Sequence, residues 1–288
     1  TLIMVLFVVI LTLVGAGLGY IFTDNPWIGI AIAFIASLIY MFIVLRNPAN
    51  MIMNMNHGKE IHEKDNPELW HIVQDMAMVA RVPMPRVFII PDKSPNAFAT
   101  GRDPKHSAVA VTQGLLDMMN REELEGVLGH EISHIRNYDI LLSTVAVVLV
   151  GVISFISGYA SRYIWWFGGD HHSRDDNKDD NNPVIMIIKI VAIVFVLILG
   201  PISASLVQMA LSRNREYLAD ASSVDLTRDP QGLISALKKI DNSQPMKKAD
   251  PSSAGMYIED PFHKKRGFSH LFDTHPATSD RIKRLEKM

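Results

Sequence analysis

The sequence predicts a mainly α membrane protein, with four transmembrane helices alternating with α+β segments that carry a small β-sheet. Three observations lead there. Apolar residues are 48% of the chain and gather into four long runs. Two intervening segments collect most of the charge. Short β-branched stretches between Pro83 and Thr112 are separated by turn residues, as strands are.

A helix crossing a bilayer takes about 20 apolar residues. The first candidate span is Leu2–Phe22 and the second is Trp27–Leu45, a hairpin over residues 1–45. The third is Ile140–Ala160, which has no charge. The fourth is Val184–Leu211, with Lys189 near its start and Pro201 expected to kink it. Loops rich in Lys and Arg mark the cytoplasmic side. By that rule segments 46–139 and 212–288 face the cytoplasm together, with both termini, and 161–183 is an external loop. His171 and His172 in that loop read as part of a solvated polar stretch. The chain starts at Thr1 inside an apolar run, so a few N-terminal residues are expected to be missing. Leu2–Tyr20 lacks the usual cleavage site and reads as a retained helix.

Net charge is −2, so no basic field points to nucleic acid. Cysteine is absent, which excludes disulfides, thiolate metal ligands and a Cys nucleophile. Any metal must be held by His, Asp or Glu.

The polar segments carry their own patterns. Asn66–Arg81 has apolar residues at helical spacing, Asn66 as N-cap and Pro67 at the first helical position. Arg86–Ile90, Asn96–Thr100 and Ser107–Thr112 read as strands. Glu122–Asn137, Pro230–Ile240 and Thr278–Glu286 read as helices, and Ser243–Gly255 as a polar linker of low order.

One helix carries the chemistry. His130-Glu131-Ile132-Ser133-His134 stands just before the third apolar run. Residues four apart share a helix face, so the two imidazoles can hold one zinc ion with Glu131 beside its water. Zinc polarises a carbonyl and acidifies its water, and Glu131 moves the proton to the leaving amine. A catalytic zinc needs a third protein ligand. A third His six residues past the second is excluded, because Ile140 stands there. The run Ser212–Asp220 offers Glu216 as ligand, with Asp220 four residues on to fix a histidine tautomer. Asp139 is another carboxylate in reach of a ligand. The bland reading of Glu216 and Asp220 is charge pairing with Arg213 and Arg215. Both catalytic helices are expected at one membrane face, which favours the ligand reading.

His130–His134 followed by Asp139, and Ser212–Asp220 as Ser-Arg-x-Arg-Glu-x-x-Ala-Asp, resemble the HtpX-type membrane metallopeptidases, relatives of the CAAX prenyl proteases. The resemblance covers nearly the whole chain. It implies a cytoplasmic zincin-like (gluzincin) metalloprotease domain with one Zn2+ per chain, held by His130, His134 and Glu216, and Glu131 as acid and base. It implies a stress-linked endopeptidase in a bacterial cell membrane that cleaves misfolded or damaged membrane proteins, with the bilayer and polypeptides as partners. Asn96, Ala97, Phe98 and Ala99 resemble the family's substrate strand, along which a peptide adds as a further strand. Thr274-His275-Pro276 with Arg281 resembles its C-terminal motif: His275 as oxyanion donor, Arg281 bracing it or the site carboxylates. Two rivals are a closed structural zinc site and a transporter. Intact Glu131 argues against the first. Against the second, Lys189 is the only charged residue within the four runs.

Overall fold

The computed structural model describes residues 2–46, 48–145, 147, 213–246, 249, 253–261 and 276–288. They fall into two units. The first holds helices α1 (Leu2–Thr23) and α2 (Pro26–Arg46). These pack closely on each other because a Cβ at Gly29 would overlap the Gly15 carbonyl. Leu13, Trp27, Ile32 and Phe42 are exposed.

The expected four transmembrane helices are corrected here. Among the described residues no helix is long and apolar enough to cross a membrane. A span takes about 20 consecutive apolar residues. Of the other expected spans, 140–160 is described only at its start, where residues 139–145 are helical, and 184–211 lies outside the described residues, as does the loop 161–183. The multi-pass location in a bacterial cell membrane, the bilayer as partner and the cytoplasmic facing of site and termini fall with the spans.

The second unit is α+β. Its elements are α3 (Pro48–Met55), β1 (Lys59–Ile61), α4 (Pro67–Ala80), β2 (Arg86–Ile90), β3 (Ala97–Gly101), β4 (Ser107–Thr112), α5 (Gln113–Met118), α6 (Arg121–Arg136), α7 (Arg213–Thr227), α8 (Pro230–Asp241) and α9 (Thr278–Leu285). The sheet order is β1-β2-β4-β3, with β2 and β4 parallel and both edge strands antiparallel to their neighbours.

Period-two alternation divides the sheet residues between two faces. Val87, Ala97, Ala99, Val109 and Val111 join a core with α4, α6 and α8. Phe88, Ile90, Phe98, Ala108 and Ala110 join another with Ile52 and Met53 of α3 and with Tyr257. The α4 helix begins as the sequence predicts: the Asn66 side chain accepts from the Leu69 N–H at 3.0 Å. It ends on Arg81, which takes a left-handed conformation at φ 57.

Three elements escaped the sequence pattern: α3, α5 and the three-residue β1. The expected low-order linker Ser243–Gly255 is also corrected in part. Ser253 is fully buried, and Ala254–Met256 form a 3-10 turn whose Met256 and the following Tyr257 are buried.

Candidate active site

Helix α6 starts in a capping box. The Asn120 side chain accepts from the Glu123 N–H, and the Glu123 carboxylate accepts from the Asn120 N–H, each at 2.9 Å. Glu123 also accepts from Lys239 Nζ at 2.6 Å and from Ser235 Oγ at 2.5 Å, which ties α6 to α8. Burial raises the Glu123 carboxyl, but these bonds outweigh it and leave it below the ordinary carboxylate value. Gly126 lets α8 approach, since a Cβ there would stand 2.7 Å from the Leu233 backbone nitrogen.

α7 meets α6 by direct packing. Ser223 Oγ donates to the Gly126 carbonyl at 2.6 Å, and Ala219 is fully buried. This contact brings Glu216 to the two histidines. The sequence reading had assigned that to a shared membrane face, and helix packing takes its place.

His130 Nε2 and His134 Nε2 stand 3.2 Å apart. Glu216 Oε2 is 3.6 Å from the first and Oε1 3.5 Å from the second. One ligand atom from each of the three residues lies within 4.8 Å of the others, so the set could hold a metal ion. The cavity they line, about 30 Å³, takes an ion or a water. Ala99, Glu131, Ser143, Met256 and Tyr257 line it as well.

The outer ring nitrogens decide the tautomers. His130 Nδ1 lies 3.0 Å from Asp220 Oδ1, and His134 Nδ1 lies 3.1 Å from Asp139 Oδ2. An ionised carboxylate only accepts. Each Nδ1 therefore donates, and each Nε2 is the atom that faces the centre and would bind a metal once its ring is neutral. Asp220 accepts two bonds from the Arg281 guanidinium, from Nε at 2.9 Å and Nη2 at 2.6 Å. Burial raises the Asp220 carboxyl, but Arg281 and His130 outweigh it and hold it well below its ordinary value. Arg281 is 0% exposed; burial lowers it, yet Asp220 raises it further. Asp139 accepts from Arg215 Nη1 at 2.8 Å.

Glu131 is 2% exposed. Burial, the largest cause, pushes its carboxyl up, against the pull of His130 and His134. His130 is raised to about 9: burial lowers it, and the bonds to Asp220 and Glu216 more than reverse that.

The geometry thus gathers His130, Glu131, His134, Asp139, Glu216, Asp220 and Arg281 into one cluster. Ala99 lines the same cavity, while Asn96, Ala97 and Phe98 run along the adjoining strand, all buried. His275 lies outside the described residues. The structure adds Arg215, which appears in the sequence only in the bland alternative of charge pairs with Glu216 and Asp220 and which instead bonds Asp139. Its place in an Arg-x-Arg-Glu pattern was the available signal. Ile258, whose carbonyl accepts from Arg281 Nη1 at 3.0 Å, gave none.

The profile of peptidase family M48 matches residues 63–288. The chain belongs to peptidase family M48. It is 78% identical over 287 residues to a protein described as "Protease HtpX homolog" from Lactobacillus helveticus (strain DPC 4571), covering 100% of this chain and 95% of that one. A "Protease HtpX homolog" from Streptococcus gordonii is 52% identical over 286 residues, covering 99% and 95%. The crystal structure of S. mikatae Ste24p is similar at a TM-score of 0.48 and 22% identity, over 96% of this chain and 62% of that one. With the His-His-Glu cluster, the family match and the two HtpX homologs make this M48 peptidase a zinc metalloendopeptidase with one zinc site. The HtpX-type resemblance holds, and its membrane-embedded part is corrected by the absence of a crossing helix among the described residues.

Proposed function

We propose that the protein hydrolyses peptide bonds within unfolded polypeptide segments, with His130, His134 and Glu216 holding the zinc and Glu131 as general base and acid. One observation supports it above the rest: three ligand atoms and the Glu131 carboxyl line one cavity, and each histidine commits its outer nitrogen to a carboxylate. When bound, zinc polarises the scissile carbonyl and acidifies the attacking water. Glu131 takes the proton from that water and delivers it to the leaving amine. The upward push of burial on its carboxyl suits both tasks. Asp220 and Asp139 fix the histidine tautomers, and Arg281 keeps Asp220 ionised. His275 takes the oxyanion role that the family resemblance implies. The catalytic work falls to segments 46–139 and 212–288. An extended peptide pairing with the β3 edge is read by its backbone, so unfolded segments are the substrate class.

The test is Glu131→Gln in purified protein. Zinc stoichiometry should stay unchanged, while cleavage of an unfolded protein falls at least about 100-fold. Retained cleavage overturns the role of Glu131. A Glu216→Ala chain with undiminished zinc content overturns the third ligand.

A further inference from the structure

A second cavity in the α+β unit shares no lining residue with the first. Its volume is about 520 Å³, within the range of small-molecule sites. Three cations from separate segments line it: Arg81 at the end of α4, Lys105 before β4 and Arg136 at the end of α6. All three are exposed, and among the described residues their side chains have no hydrogen-bond or ion-pair partner. The wall holds one acid, Asp103, which already pairs with Arg102 at 3.3 Å and His106 at 2.8 Å. α4 and α6 both end here, and each helix end carries about half a negative charge. Together they offset one cation. About two positive charges remain, which matches a phosphate monoester near pH 7.

The backbone at this cavity is strained. Arg81 (φ 57) and Tyr138 (φ 62) are left-handed, where glycine is the ordinary residue after a helix. Asp and His tolerate that region better than most side chains. Among the described residues, other non-glycine types adopt it at Arg81, Tyr138 and Arg228, and two of these line this cavity. Such strain clusters at ligand sites. Glycine would relieve it, but would remove a guanidinium and a ring from the wall. Val82, Pro83 and Pro104 supply the apolar part of the wall together with the Tyr138 ring, which is 60% exposed.

We propose that this cavity binds a small soluble phosphate monoester with an aromatic or heterocyclic body. Arg81, Lys105 and Arg136 take the phosphate, the two arginines through paired N–H donors. Tyr138 and the prolines take the ring. The site is separate from the zinc centre in its chemistry and close to it along the chain. Arg136 follows His134 by two residues, and Tyr138 precedes Asp139, whose carboxylate bonds His134 at 3.1 Å. A bound phosphate therefore rests on the turn that carries Asp139.

The test is isothermal titration calorimetry of the full chain, with and without zinc, using adenosine 5′-monophosphate as the probe. One molecule should bind with a Kd below about 1 mM, equally in both forms, and inorganic phosphate should compete. Adenosine should bind at least about tenfold more weakly. Arg81→Gln and Arg136→Gln should each cost about tenfold, Arg136→Lys less, and Arg228→Gln, outside the cavity, nothing. Zinc content should stay unchanged in every variant. Tyr138→Gly removes the ring and the strain together, so it should weaken the probe about threefold and leave the urea midpoint no lower. Binding that requires zinc places the probe on the metal and overturns the site. So does adenosine binding as tightly as its phosphate, or Arg81→Gln and Arg136→Gln binding as the parent does. Tyr138→Gly that unfolds earlier with binding unchanged overturns the ring contact. If the probe fails and only phosphatidylglycerol vesicles bind through Arg136, the ligand is a lipid headgroup and the soluble ester is overturned. None of these readouts uses peptide cleavage, so failure here leaves the peptidase reading intact.

Discussion

The two ligand histidines are supported by the same three-part arm in two different settings. On one side His130 leans on Asp220, and Asp220 on Arg281; the three side chains are 1%, 3% and 0% exposed. On the other side His134 leans on Asp139, and Asp139 on Arg215, at 15%, 11% and 39%. The bonds have similar lengths, so burial is what differs. A buried pair gives each partner no water to fall back on, and removing one leaves an uncompensated charge. An exposed pair is replaced by solvent and weakened by salt. The comparison teaches that the inner arm belongs to the folded core and the outer arm to the rim.

The largest expected break is Arg281→Ala. It strands Asp220 in the interior and should destabilise the zinc-free protein by about 3–5 kcal/mol in urea unfolding. Arg215→Ala should cost about 1 kcal/mol or less. Equal losses would mean that burial does not distinguish the arms. Next come the carboxylates. Asp220→Asn and Asp139→Asn should each weaken zinc about 10- to 100-fold in chelator competition, with Asp220 at the upper end. The reverse order would place the decisive support at the rim.

A pH effect sharpens the same contrast. The folded value for His130 is about 9 against an ordinary 6.5. The stabilisation is therefore full below about 6.5 and is lost as pH rises through about 9. Urea midpoints of the zinc-free chain should fall across that window. Saturating zinc, which takes the same nitrogen, should flatten the fall, and Asp220→Asn should reduce it. A midpoint that rises with pH in the zinc-free chain contradicts the assignment. The smallest effect is ionic. Raising salt from about 0.1 to 1 M should erase the influence of Arg215→Ala on zinc affinity and leave that of Arg281→Ala in place.

Much of this centre was legible in the sequence because a helix converts spacing into geometry. Histidines four apart on α6 share a face, and Glu216 and Asp220 repeat that spacing on α7. The strands β2 and β4 were legible for a similar reason, as β-branched runs between turn residues. What stayed hidden depends on contacts distant along the chain. Arg215 carries no mark that it would choose Asp139, 76 residues away. The polar composition before Tyr257 suggested a loose linker, but burial of Ser253 and Tyr257 against Asn56 decides otherwise, with both hydroxyls donating to Asn56 Oδ1 at 3.0 Å. β1 is only three residues long and shows no alternation to read. The membrane reading came from apolar runs, from the placing of Lys and Arg and from the family resemblance. A run of residues states hydrophobicity and says nothing of what covers it.

Arg281 has a consequence for the order in which the enzyme becomes active. It follows His130 by 151 residues and Asp220 by 61. A ribosome therefore delivers the zinc-binding helix long before the cation that secures its inner support. Until α9 docks, Asp220 lacks its guanidinium partner and the His130 arm cannot close as a dry core. The last described helix acts as a clasp, so a partly synthesised chain lacks a finished cutting edge while its own unfolded segments are still within reach.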